Sequence, residues 1–307
     1  MNAWYTEYPE YLRRLFGDVK MQKLSVDAGF SCPNRDGHIG RGGCLYCNNS
    51  SFTPSCCSSA DSVGVQLAKG KAFFSKKYPR MRYLAYFQSY TSTYADLAHL
   101  ERLYREALSV EAVDGLVIGT RPDCMPPQTL EMLSRINRTQ GRVIVEYGAE
   151  SMHDATLTLI NRNHTAACLR DAVIRTADAG ISCGVHLIMG LPGETERMMA
   201  ESVGQVCRLP IDTIKLHQLQ IIRDTALCRI YEAQQQGLPT AFPPLRLYTP
   251  QAYADLCARL TGLIPRRIAI ERFTSQAPPG LLVAPAWGLK NHEFVHLLLR
   301  RLALQKY

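Results

Sequence analysis

The sequence predicts an α/β fold, a partial (βα)6 barrel with a C-terminal extension. Three observations lead there. Six short apolar runs alternate with amphipathic stretches, as in successive strand–helix units. Most runs are near-continuous in apolar residues, the pattern of parallel strands covered on both faces. After the sixth run only one further short strand candidate remains, too few for a closed eight-unit barrel.

In chain order, Gln22–Asp27 is the first run and feeds a cysteine-rich loop. Arg82–Gln88, Gly115–Thr120, Arg142–Gly148, Cys183–Gly190 and Thr213–Leu219 follow. Between them, Ala95–Leu108 places Leu97, Leu100, Leu103 and Leu108 near helical spacing. Gln128–Arg138 is a second helical stretch. Thr165–Ala179 is a third, with Leu169, Val173 and Ala177 four residues apart. The "GLPG" turn precedes a helix over Glu194–Arg208, and Glu194 suits its first turn. Beyond Leu219, helices are expected near Thr225–Gln236, Thr249–Leu263 and Glu293–Leu304, with Arg267–Glu271 as the one strand candidate. Crossovers between parallel strands are right-handed. The barrel core is expected over 17–245, and an extension packing on or capping it over 246–307.

Composition excludes several classes. With 46% hydrophobic and 20% charged residues the chain is globular, not disordered. No apolar run is long enough to span a membrane. The start, "MNAWYTEYPEYLRRLFG", lacks a basic head followed by an apolar stretch, so no signal peptide is expected and the default compartment is the cytoplasm. The net charge of +8 mildly favours anionic partners. Basic residues gather at Lys69, Lys71, Lys76, Lys77, Arg80 and Arg82, and again at Arg266, Arg267, Arg300, Arg301 and Lys306; solvated helix faces explain them equally well.

The 11 cysteines are odd in number, in a chain that is not small, so a disulfide framework is not expected. Cys168, Cys207, Cys228 and Cys257 sit in helical patterns and read as core thiols. Cys32, Cys44 and Cys47 are different. They share the loop after the first strand, where a βα barrel carries its chemistry, and Gly37, Gly40, Gly42 and Gly43 let that loop wrap closely. Three thiolates can hold a [4Fe–4S] cluster with one iron left for another ligand. Zinc is the rival, because His38, Cys56 and Cys57 lie near, although only Cys44 and Cys47 form a CxxC hook. Incidental buried thiols are the third reading. Cys56 and Cys57 lack a third well-placed partner for a second cluster.

From "LSVDAGFSCPNRDG" to "APAWGLKNHEF" the chain resembles radical S-adenosylmethionine (SAM) proteins of the YhcC/YtqA-like family, related to the Elongator catalytic subunit. The long first cysteine gap departs from the commonest spacing of the superfamily and matches this subgroup. "HLIMGLPGET" is a strong subgroup marker. The resemblance implies a radical SAM barrel, a [4Fe–4S] cluster on Cys32, Cys44 and Cys47, and SAM chelated by the remaining iron. It further implies an aromatic Tyr46 beside SAM, and Gln88 and Ser89 of "FQSYTSTY" at its amino group. Glu150 of "EYGAES", where many relatives carry Gln, and Arg162 of "NRNHT" would contact SAM as well. His186, inside the fifth run, is a candidate for the same site, against the alternative of a satisfied core histidine.

Arg121, Asp123 and Cys124 end the third unit, and Lys215 and His217, two apart, share a face of the sixth strand. Those five, with Arg272, Trp287 and Lys290 of the tail, are substrate-side candidates; each could equally be ordinary packing. Kinship to the Elongator subunit implies tRNA as partner and the wobble-uridine side chain as target. No acetyltransferase-like domain follows, so the subunit's second activity is not expected. An electron donor such as a flavodoxin or ferredoxin is implied too. The alternatives are a radical SAM enzyme acting on a small molecule, and a metal-bearing RNA-binding protein without catalysis.

Overall fold

The computed structural model describes residues 3–54 and 57–304. Its strands are β1 Thr6–Glu7, β2 Met21–Val26, β3 Arg82–Phe87, β4 Val113–Thr120, β5 Arg142–Glu150, β6 Ser182–Met189, β7 Thr213–Gln218, β8 Ile221–Ile222, β9 Ala269–Arg272 and β10 Leu282–Ala284. The helices are α1 Tyr8–Phe16, α2 Pro33–Asp36, α3 Val63–Ser75, α4 Leu97–Ser109, α5 Pro127–Thr139, α6 Asp154–Leu159, α7 Ala166–Asp178, α8 Glu196–Cys207, α9 Ala226–Gln235, α10 Pro250–Thr261 and α11 Asn291–Leu304.

All six expected strands form, and the sheet is larger than expected. Its order is β1-β9-β7-β6-β5-β4-β3-β2, eight strands, and every neighbouring pair is parallel. The "RIAIE" run supplies β9 beside β7, and the N-terminal Thr6–Glu7 pairs with β9. The sheet curls: Lys23 Nζ on β2, at one edge, lies 2.7 Å from Glu271 Oε2 on β9, the last strand but one at the other.

Outside the curl, α5 and α7 cover β5 and β6, and Leu133, Ile136, Leu169 and Val173 share a core with Val143, Val145 and Val185. Burying each such side chain contributes roughly 1.5–3 kcal/mol. Thr195 caps α8 by accepting from the Met198 amide, one residue after the expected start. Glu194 instead accepts from Ser151.

Inside the curl, the apolar pattern gives way to charge halfway up. At the bottom, α1 plugs the opening: Tyr8, Tyr11 and Leu12 pack on Leu84, Tyr86, Val117, Ile144 and Ala269, which come from four strands. Pro9 and Glu10 in its first turn, Arg13 and Arg14 in its last, and Gly17 at φ +79° mark its ends. Above the plug, Lys23 and Lys215 face Glu146 and Glu271. The extension contributes α10 and α11, which pack on each other. Among the described residues no helix is long and apolar enough to cross a membrane.

Candidate active site

The cysteine loop leaves the C-terminal end of β2 and is held by asparagines. Asn34, wholly buried, donates to Asn161 O at 2.6 Å and accepts from Asn163 Nδ2 at 2.6 Å. Asn161 donates to Gly43 O at 2.8 Å. Asn161 and Asn163 adopt left-handed backbone (φ +54° and +56°), which asparagine tolerates. Gly40 is there for space: a Cβ on it would fall 2.4 Å from Asn34 Oδ1 and 2.5 Å from Asn163 Nδ2. The 161–163 turn is thereby tied to the loop that carries the thiols.

Cys32, Cys44 and Cys47 line one cavity, with about 1220 Å³ of empty space including its open mouth. Cys44 Sγ accepts from Asn34 Nδ2 and Arg162 Nη1, both at 3.6 Å. Burial, then the neighbouring Cys44, pushes the Cys47 thiol up to about 12. Tyr46, Gln88, Glu150, Arg162 and His186 line the same cavity. Ser89 does not; it is buried with its hydroxyl on Thr53 Oγ1 at 3.0 Å. Gln88 Nε2 donates to Ser25 Oγ at 2.9 Å and Phe52 O at 2.8 Å.

Arg162 is the hub of the wall beside Cys44. Its Nη2 donates to Gly148 O at 2.5 Å and lies 3.5 Å from Glu150 Oε1, while its Nε donates to His164 Nε2 at 3.0 Å. Burial and the Arg162 charge lower His164 to about 3, so it stays neutral and can accept. Glu150 sits on a bulge of β5 at φ +66°. Burial raises its carboxyl and Arg162 only partly opposes this. Gly148 leaves room for both: a Cβ there would stand 2.5 Å from Glu150 Oε1 and 2.7 Å from Arg162 Nη2.

Below these residues lies the charge layer that sequence reasoning only half found. Lys215 was expected to share a face with His217; Lys23, Glu146 and Glu271 were not singled out. Glu146 accepts from Lys215 and Lys23, each at 2.6 Å, and pairs with His186 Nε2 at 3.2 Å. Burial pushes its carboxyl up, but the two lysines outweigh that and hold it well below the usual range. Burial, then Lys215, lowers His186 to about 3. The signal was available: Lys23, Glu146 and Lys215 all interrupt apolar strands.

Other candidates fall elsewhere. Cys124 is buried beside Asp123 Oδ1 at 3.7 Å, off the cavity wall. Trp287 donates to Tyr248 O at 2.9 Å and stacks on Phe294, so it packs the extension and does not line the cavity. Lys290 is exposed away from the cavity. Arg121 and Arg272 do line the cavity. Cys207, Cys228 and Cys257 are buried as expected, whereas Cys168 is half-buried. Arg267 donates to backbone carbonyls and Arg301 pairs with Asp255, so part of the second basic group is structural. Cys56 and Lys306 lie outside the described residues.

All three thiols border the wall of one cavity. Two buried polar atoms on that wall, Arg121 Nη1 and Thr91 Oγ1, have no protein partner. They suit a polar ligand beside the thiols.

Comparison with known proteins agrees. Residues 35–206 match the Radical SAM superfamily model, and residues 211–303 match the Radical_SAM C-terminal domain. The chain belongs to the radical SAM superfamily. Cofactors of radical SAM proteins are a [4Fe–4S] cluster and SAM, and the cavity's thiols and unpaired polar atoms fit both. Protein YhcC of Escherichia coli is 35% identical over 90% of this chain and 85% of its own length. The tRNA uridine(34) acetyltransferase of Methanocaldococcus infernus is 23% identical over 55% of this chain and 30% of its own length. Among solved radical SAM-like folds, the archaeal Elp3 of Methanocaldococcus infernus superposes with a TM-score of 0.65 at 14% identity, over 94% of this chain and 64% of that one.

Proposed function

We propose that this radical SAM protein modifies the side chain of the wobble uridine of tRNA, in the cytoplasm. The observation that carries the radical SAM part is the convergence of Cys32, Cys44 and Cys47 with Glu150 and Arg162 around one cavity. The tRNA part is supported by the archaeal relative whose name specifies uridine 34 of tRNA, and by the net charge of +8.

In this reading the three cysteines hold the cluster, and Arg162, Glu150 and Gln88 hold SAM. With both groups bound there, the site would supply radical hydrogen-atom abstraction from an unactivated C–H. The chain's own part is positioning. Arg162 is fixed by Gly148 O and His164 with its Nη1 on Cys44 Sγ, which sets its positive charge beside the thiols for a carboxylate. Tyr46 presents its ring on the same wall. The α1 plug closes the bottom of the curl.

Replacing Cys32, Cys44 or Cys47 with Ala should abolish cluster binding and SAM cleavage. Variants that still cleave SAM under dithionite would defeat the ligand assignment. Arg162→Ala should retain iron and bind SAM about 10- to 100-fold more weakly, the worth of a charged hydrogen bond; unchanged affinity removes Arg162 from the site. The substrate is tested by nucleoside mass spectrometry of tRNA from cells lacking the protein. An unaltered wobble-uridine profile would turn the reading toward a small molecule.

A further inference from the structure

We propose that Arg272 is the seat of an anionic group of the substrate, a phosphate or a carboxylate. This deepens the proposed function and rests on it for the place of SAM and for the identity of the molecule that carries the anion. Charge accounting in the cavity leads there. Lys23 and Lys215 are matched by Glu146 and Glu271. Arg162 faces Glu150, and Arg121 is held by Asp123 through two hydrogen bonds of 2.9 and 2.7 Å. Two arginines on the wall have no carboxylate within ion-pair distance among the described residues: Arg35, on the thiol loop with Nη1 donating to Cys47 O at 3.4 Å, and Arg272, on β9 away from the thiols. Arg272 Nε donates to His217 Nε2 at 3.2 Å, which requires a neutral imidazole and leaves the guanidinium charge uncompensated.

Such a cation, half-buried in a concave site, is costly without a counter-ion. The surroundings are built to keep it in place. Gln218 exchanges two hydrogen bonds of 2.9 Å with the Ser275 backbone, and Gln220 donates to the same carbonyl at 3.1 Å. These amides pin the chain just beyond β9. The two outer guanidinium nitrogens are left to form the planar fork that phosphate and carboxylate both match. In the proposed function SAM sits at Arg162, whose Nη1 is on Cys44 Sγ beside the thiols, so on that reading the anion at Arg272 belongs to the second molecule in the cavity.

The test uses cluster-loaded protein with SAM bound, as wild type, Arg272→Gln and Arg272→Lys. The probes are an anticodon stem-loop RNA, inorganic phosphate followed by phosphorus NMR line width, and labelled acetate followed by carbon NMR. Arg272→Gln should weaken RNA binding at least about 10-fold and lower the slope of log affinity against log salt by about 1. Arg272→Lys should restore the slope and part of the affinity. Phosphate displacing RNA from wild type but not from Arg272→Gln identifies a phosphate, and acetate doing so more strongly identifies a carboxylate. If RNA fails to bind while phosphate or acetate binds only with Arg272 present, the anion seat stands and the tRNA reading falls. If RNA affinity and slope are the same in all three proteins and neither small anion responds to Arg272, the proposal is overturned. A loss of SAM affinity in Arg272→Gln to match that of Arg162→Ala would overturn it too, by assigning Arg272 to the cofactor.

Discussion

Gly148 shows how the site is set by single atoms. With a hydrogen in place of a side chain it lets Glu150 and Arg162 meet over the backbone of β5. Gly148→Ala should therefore displace one of them, lowering SAM affinity by about 10-fold or more with little loss of secondary structure. Isothermal titration and circular dichroism check the two halves; intact SAM affinity would show that the pair is not needed close together. Arg162 and Glu150 were legible because they sit in short motifs resembling those of known relatives. Gly148 was not, since a glycine at a strand end reads as a turn until the neighbouring atoms are placed. Ser89 shares the "FQSYTSTY" motif with Gln88, but both lie beyond the end of β3, and there only Gln88 borders the cavity while Ser89 is buried on Thr53.

Among elements, β2, β5, β7 and β9 carry the charge layer and α1 carries the plug. Glu146 is the centre of the layer, taking hydrogen bonds from Lys23 and Lys215 while 1% exposed. Glu146→Gln would leave two buried ammonium groups sharing Glu271 alone. That should cost roughly 3–5 kcal/mol in urea denaturation, the usual result of removing one partner from a buried ion pair. A loss below about 1 kcal/mol would mean that water reaches the layer. Six strands were legible from apolar runs. β9 was legible as the Arg267–Glu271 run, whereas β1 was not, because two residues carry too little pattern and pairing with a distant partner decides them. Helix α1 was hidden by its tyrosines, which face the curl and not a conventional apolar stripe.

At the scale of the molecule, neutral buried histidines tie stability to pH. His164 and His186 are lowered to about 3 by burial and nearby cations, and His217 is lowered by burial and Arg272. The unfolded chain takes up protons near its ordinary value of about 6.5 that the fold refuses, so stability falls as pH drops below that value. Glu146, held low, adds to the fall once pH passes below the ordinary carboxylate range. Anaerobic urea titrations between roughly pH 7 and pH 5 should show this slope, and His186→Gln should make it shallower by up to about 1.4 kcal/mol per pH unit. An unchanged slope would mean that His186 is protonated in the fold. The general architecture was legible from alternating strands and helices. The closure of the curl was not, since it depends on Lys23 reaching Glu271 across 248 positions of sequence.

One measurement bears most directly on the central claim, that three thiols hold a cluster with a corner open to SAM. Oxygen-free protein is assayed for iron and sulfide, and the electron paramagnetic resonance spectrum of its reduced form is recorded before and after SAM is added. The account predicts about four irons and four sulfides per chain, lost when Cys32, Cys44 or Cys47 is replaced, and a spectrum that changes when SAM binds. A colourless protein carrying a single zinc, or a cluster spectrum indifferent to SAM, would contradict it.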